Sequence, residues 1–245
     1  MPRYLLTIEY DGTPYVGWQR QINGPSVQTE VEEAIQDFCQ QDVRLHVAGR
    51  TDTGVHAFGQ CAHFDSNKQL ETDTIRTALS HYLRDKQISI VSAQKVADDF
   101  HARFSAKKRS YVYKILNRVP TSPLYKDRVW HIRKPLDLAA MREAANHLLG
   151  KHDFTSFRSS ECQADSPIRT IDILDIKTEG EMILIHVEAQ SFLHHMVRNL
   201  TGTLVHVGQG KWAPADVKRI LDAKDRKQAG PTAPSAGLYF VKVEY

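Results

Sequence analysis

Asp52 sits in the stretch AGRTDTGVHAFGQ, residues 48–60, with Arg50 and Thr51 before it and Thr53 and Gly54 after it. A carboxylate in such a setting suits one of two tasks. It can cap a turn, a place aspartate favours beside glycine. It can also act as a base or nucleophile at a carbon centre. His56 and His63 follow it and raise a third chemistry, metal-assisted hydrolysis, but no second carboxylate stands at an evident ligand spacing. The three cysteines, Cys39, Cys61 and Cys162, are far apart and form no C-x-x-C pair, so a structural zinc site is not expected.

Charge supplies the second chemical signal. The net value of +3 says little, but its distribution says more. From His101 to Lys134 there are ten Lys or Arg residues and one acid, Asp127. Phe104, Tyr111, Tyr113, Tyr125 and Trp130 are interleaved with them. Basic residues alternating with aromatics suit a polyanion with stackable bases, so nucleic acid is the expected partner. Lys107, Lys108 and Arg109 are the expected phosphate contacts.

These residues need a scaffold, and the hydrophobic pattern describes one. YLLTIEYDG (4–12) alternates and ends in a turn signal, as a strand does. Residues 26–41 place Val27, Val31, Ile35 and Phe38 near helical spacing behind Ser26 as N-cap. Short strands are expected at 43–49 and 59–64, a helix over 72–83 with Ile75, Leu79 and Tyr82 on one face, and a strand over 88–96. The second half repeats the theme. SYVYKILN (110–117) puts Tyr111, Tyr113 and Ile115 on one face. A helix over 137–150 has Asp137 as N-cap and Gly150 as its stop. A hairpin is expected around Glu179 and Gly180, helices over 191–208 and 213–225, and a strand over 237–245. DDFHARF (98–104) and HDFTSFR (152–158) hint at an internal repeat. The reading is an α+β protein of two ferredoxin-like (RRM-like) halves, residues 1–104 and 105–245, each an antiparallel sheet with helices on one face. A cleft between such halves is where a ligand is expected.

YDGTPYVGWQRQ (10–21), AGRTDTGVHAFGQ (48–60), DDFHARFSAKKRSYVYKI (98–115), DFTSF (153–157), FLHHMVRN (192–199) and GLYF (237–240) occur in this order. Together they resemble the TruA family of tRNA pseudouridine synthases. The resemblance implies that Asp52 is the catalytic residue, that Tyr111 stacks on the target uracil, and that Arg198 pairs with the catalytic aspartate. It implies that Arg50 fills the gap left when the uridine is flipped from its stem, which costs a few kcal/mol. The chemistry is consistent with Asp52. The N1 glycosidic bond breaks, the uracil turns, and C5 bonds to the same C1′, so neither metal nor cofactor is required. Asp52 could attack the sugar or the base, or abstract a ribose proton to give a glycal. The implied substrate is the anticodon arm of tRNA at uridines 38, 39 and 40, and the implied assembly is a homodimer. Thr53 departs from the family pattern, which more often has alanine there.

Two other readings remain open to the sequence. A non-catalytic RNA-binding protein would explain the charge run but leave the Gly-Arg-Thr-Asp loop and Arg198 without a task. A metal-dependent hydrolase would use Asp52, His56 and His63. No apolar run approaches the roughly 18 residues that span a bilayer, and the N-terminus lacks the pattern of a signal peptide. No membrane association is expected, and the protein is expected in the cytoplasm.

Overall fold

Residues 1–245 are all described by the computed structural model, and they divide into two units. The first comprises Met1–Lys107 with Tyr239–Tyr245, the second Lys108–Leu238.

In the first unit, β1 (Arg3–Tyr10), α1 (Val27–Cys39), β2 (His46–Val47), β3 (His56–Asp65), α2 (Thr72–Tyr82) and β4 (Ile88–Val96) follow one another. β1 lies between β3 and β4 and is antiparallel to both, and β2 pairs antiparallel with β3. This βαββαβ chain with strand order β4-β1-β3-β2 is the ferredoxin-like arrangement. The Ser26 side chain accepts the Thr29 N–H at 3.2 Å and starts α1. Val27, Val31 and Ile35 are fully buried along one stripe of that helix, each worth about 1.5–3 kcal/mol of apolar burial. Two expectations shift here. β2 is two residues long rather than seven. Tyr82, expected on the buried face of α2, is 44% exposed because the helix ends there and Leu83 fills the core instead.

The final strand, β10 (Leu238–Glu244), pairs in parallel with β3 through Tyr239↔His56 and Phe240↔Ala57. The Lys107 N–H donates to the Glu244 carbonyl at 2.8 Å, and the Tyr245 hydroxyl to the Ala102 carbonyl at 3.1 Å. Residues 239–245 therefore belong to the first unit, not to a continuous second half running from 105 to 245.

The second unit contains β5 (Lys108–Asn117), β6 (Trp130–Ile132), α3 (Leu138–Asn146), β7 (Gly150–Asp153), β8 (Ile168–Glu179), β9 (Met182–Ala189), α4 (Met196–Gly208) and α5 (Pro214–Ala223). Its sheet runs β5-β9-β8-β7, antiparallel throughout, with β6 added in parallel to β5. Asp137 caps α3 as expected, accepting the Ala140 N–H at 3.0 Å. Gly150 does not end that helix. His147 does, and Gly150, at φ +87°, opens β7. The helix expected from residue 191 starts at Met196, because His195 is left-handed at φ +61° and breaks the ladder. No helix is long and apolar enough to cross a membrane.

Candidate functional site

Asp52 lies half-buried in the irregular segment between β2 and β3. Bonds from distant parts of the first unit fix its backbone. The Tyr10 and Thr51 hydroxyls meet at 2.7 Å in a buried contact. The Trp18 N–H donates to the Thr51 carbonyl at 3.1 Å, and the Gly54 N–H reaches the Tyr15 carbonyl at 3.4 Å. The Gln60 amide holds the Gly49 carbonyl at 2.8 Å. Within the loop, the Val55 N–H closes a turn onto the Asp52 carbonyl at 3.1 Å. Thr53 donates its hydroxyl to the Val16 carbonyl at 3.0 Å, a tie that alanine could not make. Gly17, at φ +112°, runs so close beneath that a Cβ there would lie 2.6 Å from the Thr51 carbonyl oxygen and 3.1 Å from the Asp52 carbonyl carbon.

Tyr10 reaches Thr51 from a point where the β1–β3 register shifts, between Ile8 and Tyr10. Burial pushes its phenol up to about 12, with the bonds to Thr51 and Gln60 opposing the rise. It stays neutral at physiological pH. Arg50 is exposed.

His56 and His63 are structural in their bonding. His56 is 2% exposed, its Nδ1 accepts the Gly12 N–H at 3.1 Å, and its ring stacks on Tyr239 at 4.6 Å. His63 is 1% exposed, and its Nδ1 accepts the Ala102 N–H at 3.1 Å. Burial first, then Arg3 and the rings of His101 and His46, lower His63 to about 4. His63, with Nδ1 taken as an acceptor, carries its proton on Nε2 when neutral, so neither of its ring nitrogens is free for a metal. The His56 Nδ1 also lies 3.1 Å from the Asp11 carboxylate.

A polar relay fixes the segment that follows Trp18. Glu32 of α1 is 8% exposed, accepts the Gln28 amide at 2.7 Å and the Leu45 N–H at 2.9 Å, and pairs with Arg20 at 3.2 Å.

In the second unit, Tyr111 occupies the middle of β5 opposite Val187, 9% exposed, with its ring edge-on to Phe192 at 5.1 Å. Arg198 lies in the first turn of α4. Its Nε donates to the Ala233 carbonyl at 2.8 Å, while the Ala233 N–H returns to the Arg198 carbonyl at 3.1 Å. Asn199, fully buried, accepts from Thr232 at 2.7 Å and Arg226 at 3.0 Å. A Cβ on Gly202 would lie 1.8 Å from the Pro231 carbonyl oxygen, so the helix and residues 226–233 meet backbone to backbone. The same strap continues to Pro234, whose carbonyl accepts the Tyr113 hydroxyl at 2.7 Å. Burial raises Tyr113, and the charge of Arg198 works against that rise.

The three expected phosphate contacts part company. Lys107 is exposed. Lys108 lies 3.5 Å from Glu188 on the neighbouring strand. Arg109 is only 7% exposed, and its guanidinium donates to the Gln190 carbonyl, so it is a buried strand residue and not a surface cation.

Sequence reasoning passed over Tyr10, Gly17, Trp18 and Gln60 as supports of the Asp52 loop. The one available signal was that Tyr10, Gly17 and Trp18 fall inside YDGTPYVGWQRQ and Gln60 ends AGRTDTGVHAFGQ.

A family model described as tRNA pseudouridine synthase matches residues 6–105 and 144–245. The tRNA pseudouridine synthase A of Paramagnetospirillum magneticum is 52% identical, covering 100% of this chain and 96% of that one. The protein of the same name from Xanthobacter autotrophicus is 51% identical over 100% of both chains. That of Caulobacter vibrioides strain NA1000 is 51% identical over 100% of this chain and 99% of its own. A crystal structure of a Cbf5–Nop10–Gar1 complex aligns with 97% of this chain and 48% of its own at a TM-score of 0.40 and 12% identity, a level at which the likeness carries no weight.

Proposed function

The chain belongs to the tRNA pseudouridine synthase family, and we propose that it isomerises uridine to pseudouridine in tRNA with Asp52 as nucleophile or base. The observation that carries this reading is the match to tRNA pseudouridine synthases along the whole chain. The bonding of the Asp52 loop supports it. Groups from β1, from residues 15–18 and from β3 all bond to the segment that carries a half-buried carboxylate, Tyr10 through the Thr51 hydroxyl and the others through backbone. Such preorganisation is what a reacting group requires, and a turn cap does not.

The reaction balances without a co-reactant. The N1–C1′ bond breaks, C5 joins C1′, the proton leaves C5, and N1 ends protonated. Asp52 bonds transiently to the sugar or the base, or removes a ribose proton. Tyr111 stacks on the uracil, and Arg198 supplies a cation to the same reaction. Arg50, exposed beside Asp52, takes the place of the flipped base. The reading extends to uridines 38, 39 and 40 of the anticodon arm, to a homodimer, and to action in the cytoplasm.

The deciding experiment incubates the protein with an unmodified tRNA transcript in EDTA and assays pseudouridine. A synthase forms it, an RNA-binding protein forms none, and a metal-dependent hydrolase is silenced. Asp52→Asn should abolish tritium release from tRNA labelled at uracil C5 while leaving tRNA affinity nearly intact. Residual activity above about a tenth of wild type would remove Asp52 from the reaction.

A further inference from the structure

Residues 97–107 of the first unit form a loop whose backbone is tied at several positions, among them those on both sides of Phe104. The Phe100 N–H donates to the Ala97 carbonyl at 3.0 Å, and Arg3 holds the Phe100 carbonyl at 2.6 Å. His101 and Ser105 exchange bonds, N–H to Oγ at 3.0 Å and N–H to carbonyl at 2.8 Å. The Ala102 N–H is taken by His63 and the Arg103 N–H by the His101 ring, both at 3.1 Å. From this fixed frame Phe104 projects with 75% of its surface exposed. The Arg103 guanidinium stands over its ring, 5.5 Å from the centroid, and the His101 ring lies 4.4 Å away. Behind them His46 and His63 continue the group, with ring centroids 5.4 Å and 4.8 Å from His101.

A large apolar side chain held out to water by a rigid loop has no folding purpose. Its ring offers a face to stack on, and the bonded backbone of Arg103 and Ser105 on either side limits the freedom that binding would have to remove. The polar groups at its margin narrow the occupant. Arg103 is a cation, and His101, with Nδ1 accepting from Arg103, keeps an Nε2–H donor when neutral. Asp98 and Asp99, the acids of this loop, act on Arg3. A flat ring beside a guanidinium and an imidazole donor complements a base with its phosphate. An apolar protein surface would leave the guanidinium desolvated and unmatched.

We propose that Phe104, Arg103 and His101 form a stacking site for an unpaired nucleotide of the tRNA, distinct from the reacting uridine assigned to Tyr111. The proposal rests on the reading of the protein as a tRNA-modifying enzyme. Its test measures the affinity of an unmodified tRNA transcript for Phe104→Ala, Phe104→Trp and Arg103→Gln over a range of salt concentrations, with sedimentation of each free protein. Phe104→Ala should weaken binding about 5- to 150-fold (about 1–3 kcal/mol at 1.4 kcal/mol per factor of ten) with an unchanged salt slope. Phe104→Trp should restore most of the affinity. Arg103→Gln should weaken binding and flatten the log–log salt slope by somewhat under 1. An Phe104→Ala protein that binds tRNA as wild type does overturns the proposal. So does one whose oligomeric state changes, because the ring would then serve a second copy of the chain. Failure of the wild type to form any pseudouridine would sink the synthase reading instead, so the two failures are distinguishable.

Discussion

Gly17→Ala is the sharpest probe of how Asp52 is held, because the added atom touches the loop and not the carboxylate. Two costs arise together. The backbone at φ +112° lies where side-chain-bearing residues rarely go, a strain of about 1–3 kcal/mol. The new Cβ would stand 2.6 Å from the Thr51 carbonyl oxygen, whereas ordinary contact begins near 3.4 Å, so backbone must yield by most of an ångström. Overpacking of this kind costs about 1–3 kcal/mol. The sum is a loss of about 2–6 kcal/mol if none of the overlap relaxes, and less in proportion as the loop moves. What the loop gives up in strain it gives up in position, and a misplacement of about 1 Å at a reacting group can cost on the order of 100-fold in rate. Single-turnover pseudouridine formation with saturating tRNA should therefore fall about 10- to 100-fold, accompanied by a lower Tm. Gly210→Ala is the matched control. Gly210 also has a positive φ, +69°, but nothing lies within 4 Å of its would-be Cβ, so it should lose a little stability and no rate. A Gly17→Ala enzyme that turns over within about threefold of wild type would refute the claim that this contact positions Asp52.

Tyr10→Phe should destabilise the protein by about 1–3 kcal/mol, read by urea unfolding, because it strands a buried Thr51 hydroxyl. Thr53→Ala should cost no more than about 1 kcal/mol and leave the rate unchanged, since its bond to Val16 is exposed. Arg109→Met should lower Tm by orphaning the Gln190 carbonyl but keep the salt dependence of tRNA binding, whereas Lys107→Gln should flatten that dependence by somewhat under 1 in slope. His63, with an ordinary value of 6.5 and a folded value of about 4, binds its proton more readily in the unfolded chain, so stability should fall as pH drops from 6.5 towards 4. His101 and His206 shift the same way, and Asp65 begins to weaken the fold only below about 3.8. Melting curves from pH 7.5 to 4.5 should show the loss, blunted in His63→Gln.

Local chemistry made α1, β1, β4, β5 and the β8–β9 hairpin readable, since a cap, an alternation or a turn glycine states each within a few residues. The boundaries that shifted were decided elsewhere. His195 is left-handed for reasons no periodicity announces, and β10 joins β3 across most of the sequence. Asp52 and Arg50 were visible as a motif, but their supports were not, because the Tyr10–Thr51 bond joins residues 41 apart. Arg109 was legible and missed. It shares a strand face with Tyr111 and Tyr113 by the two-residue period, and a face that buries two tyrosines buries the arginine before them.

The parallel pairing of β10 with β3 also has a meaning in time. A ribosome makes residues 1–107 first, then all 131 residues from 108 to 238, before the strand that pairs with the start of β3, just past the Asp52 loop, is complete. Until then the edge of β3 at His56 and Ala57 lacks the strand that fills it, and the close approach of Val241 to Gly59 cannot form. Domains generally fold as they emerge, N-terminal first, but here the earliest segment must wait for one of the latest. The nascent chain therefore carries Asp52 long before that aspartate has a finished sheet beside it, and a newly made molecule has no completed first unit until synthesis has passed β10.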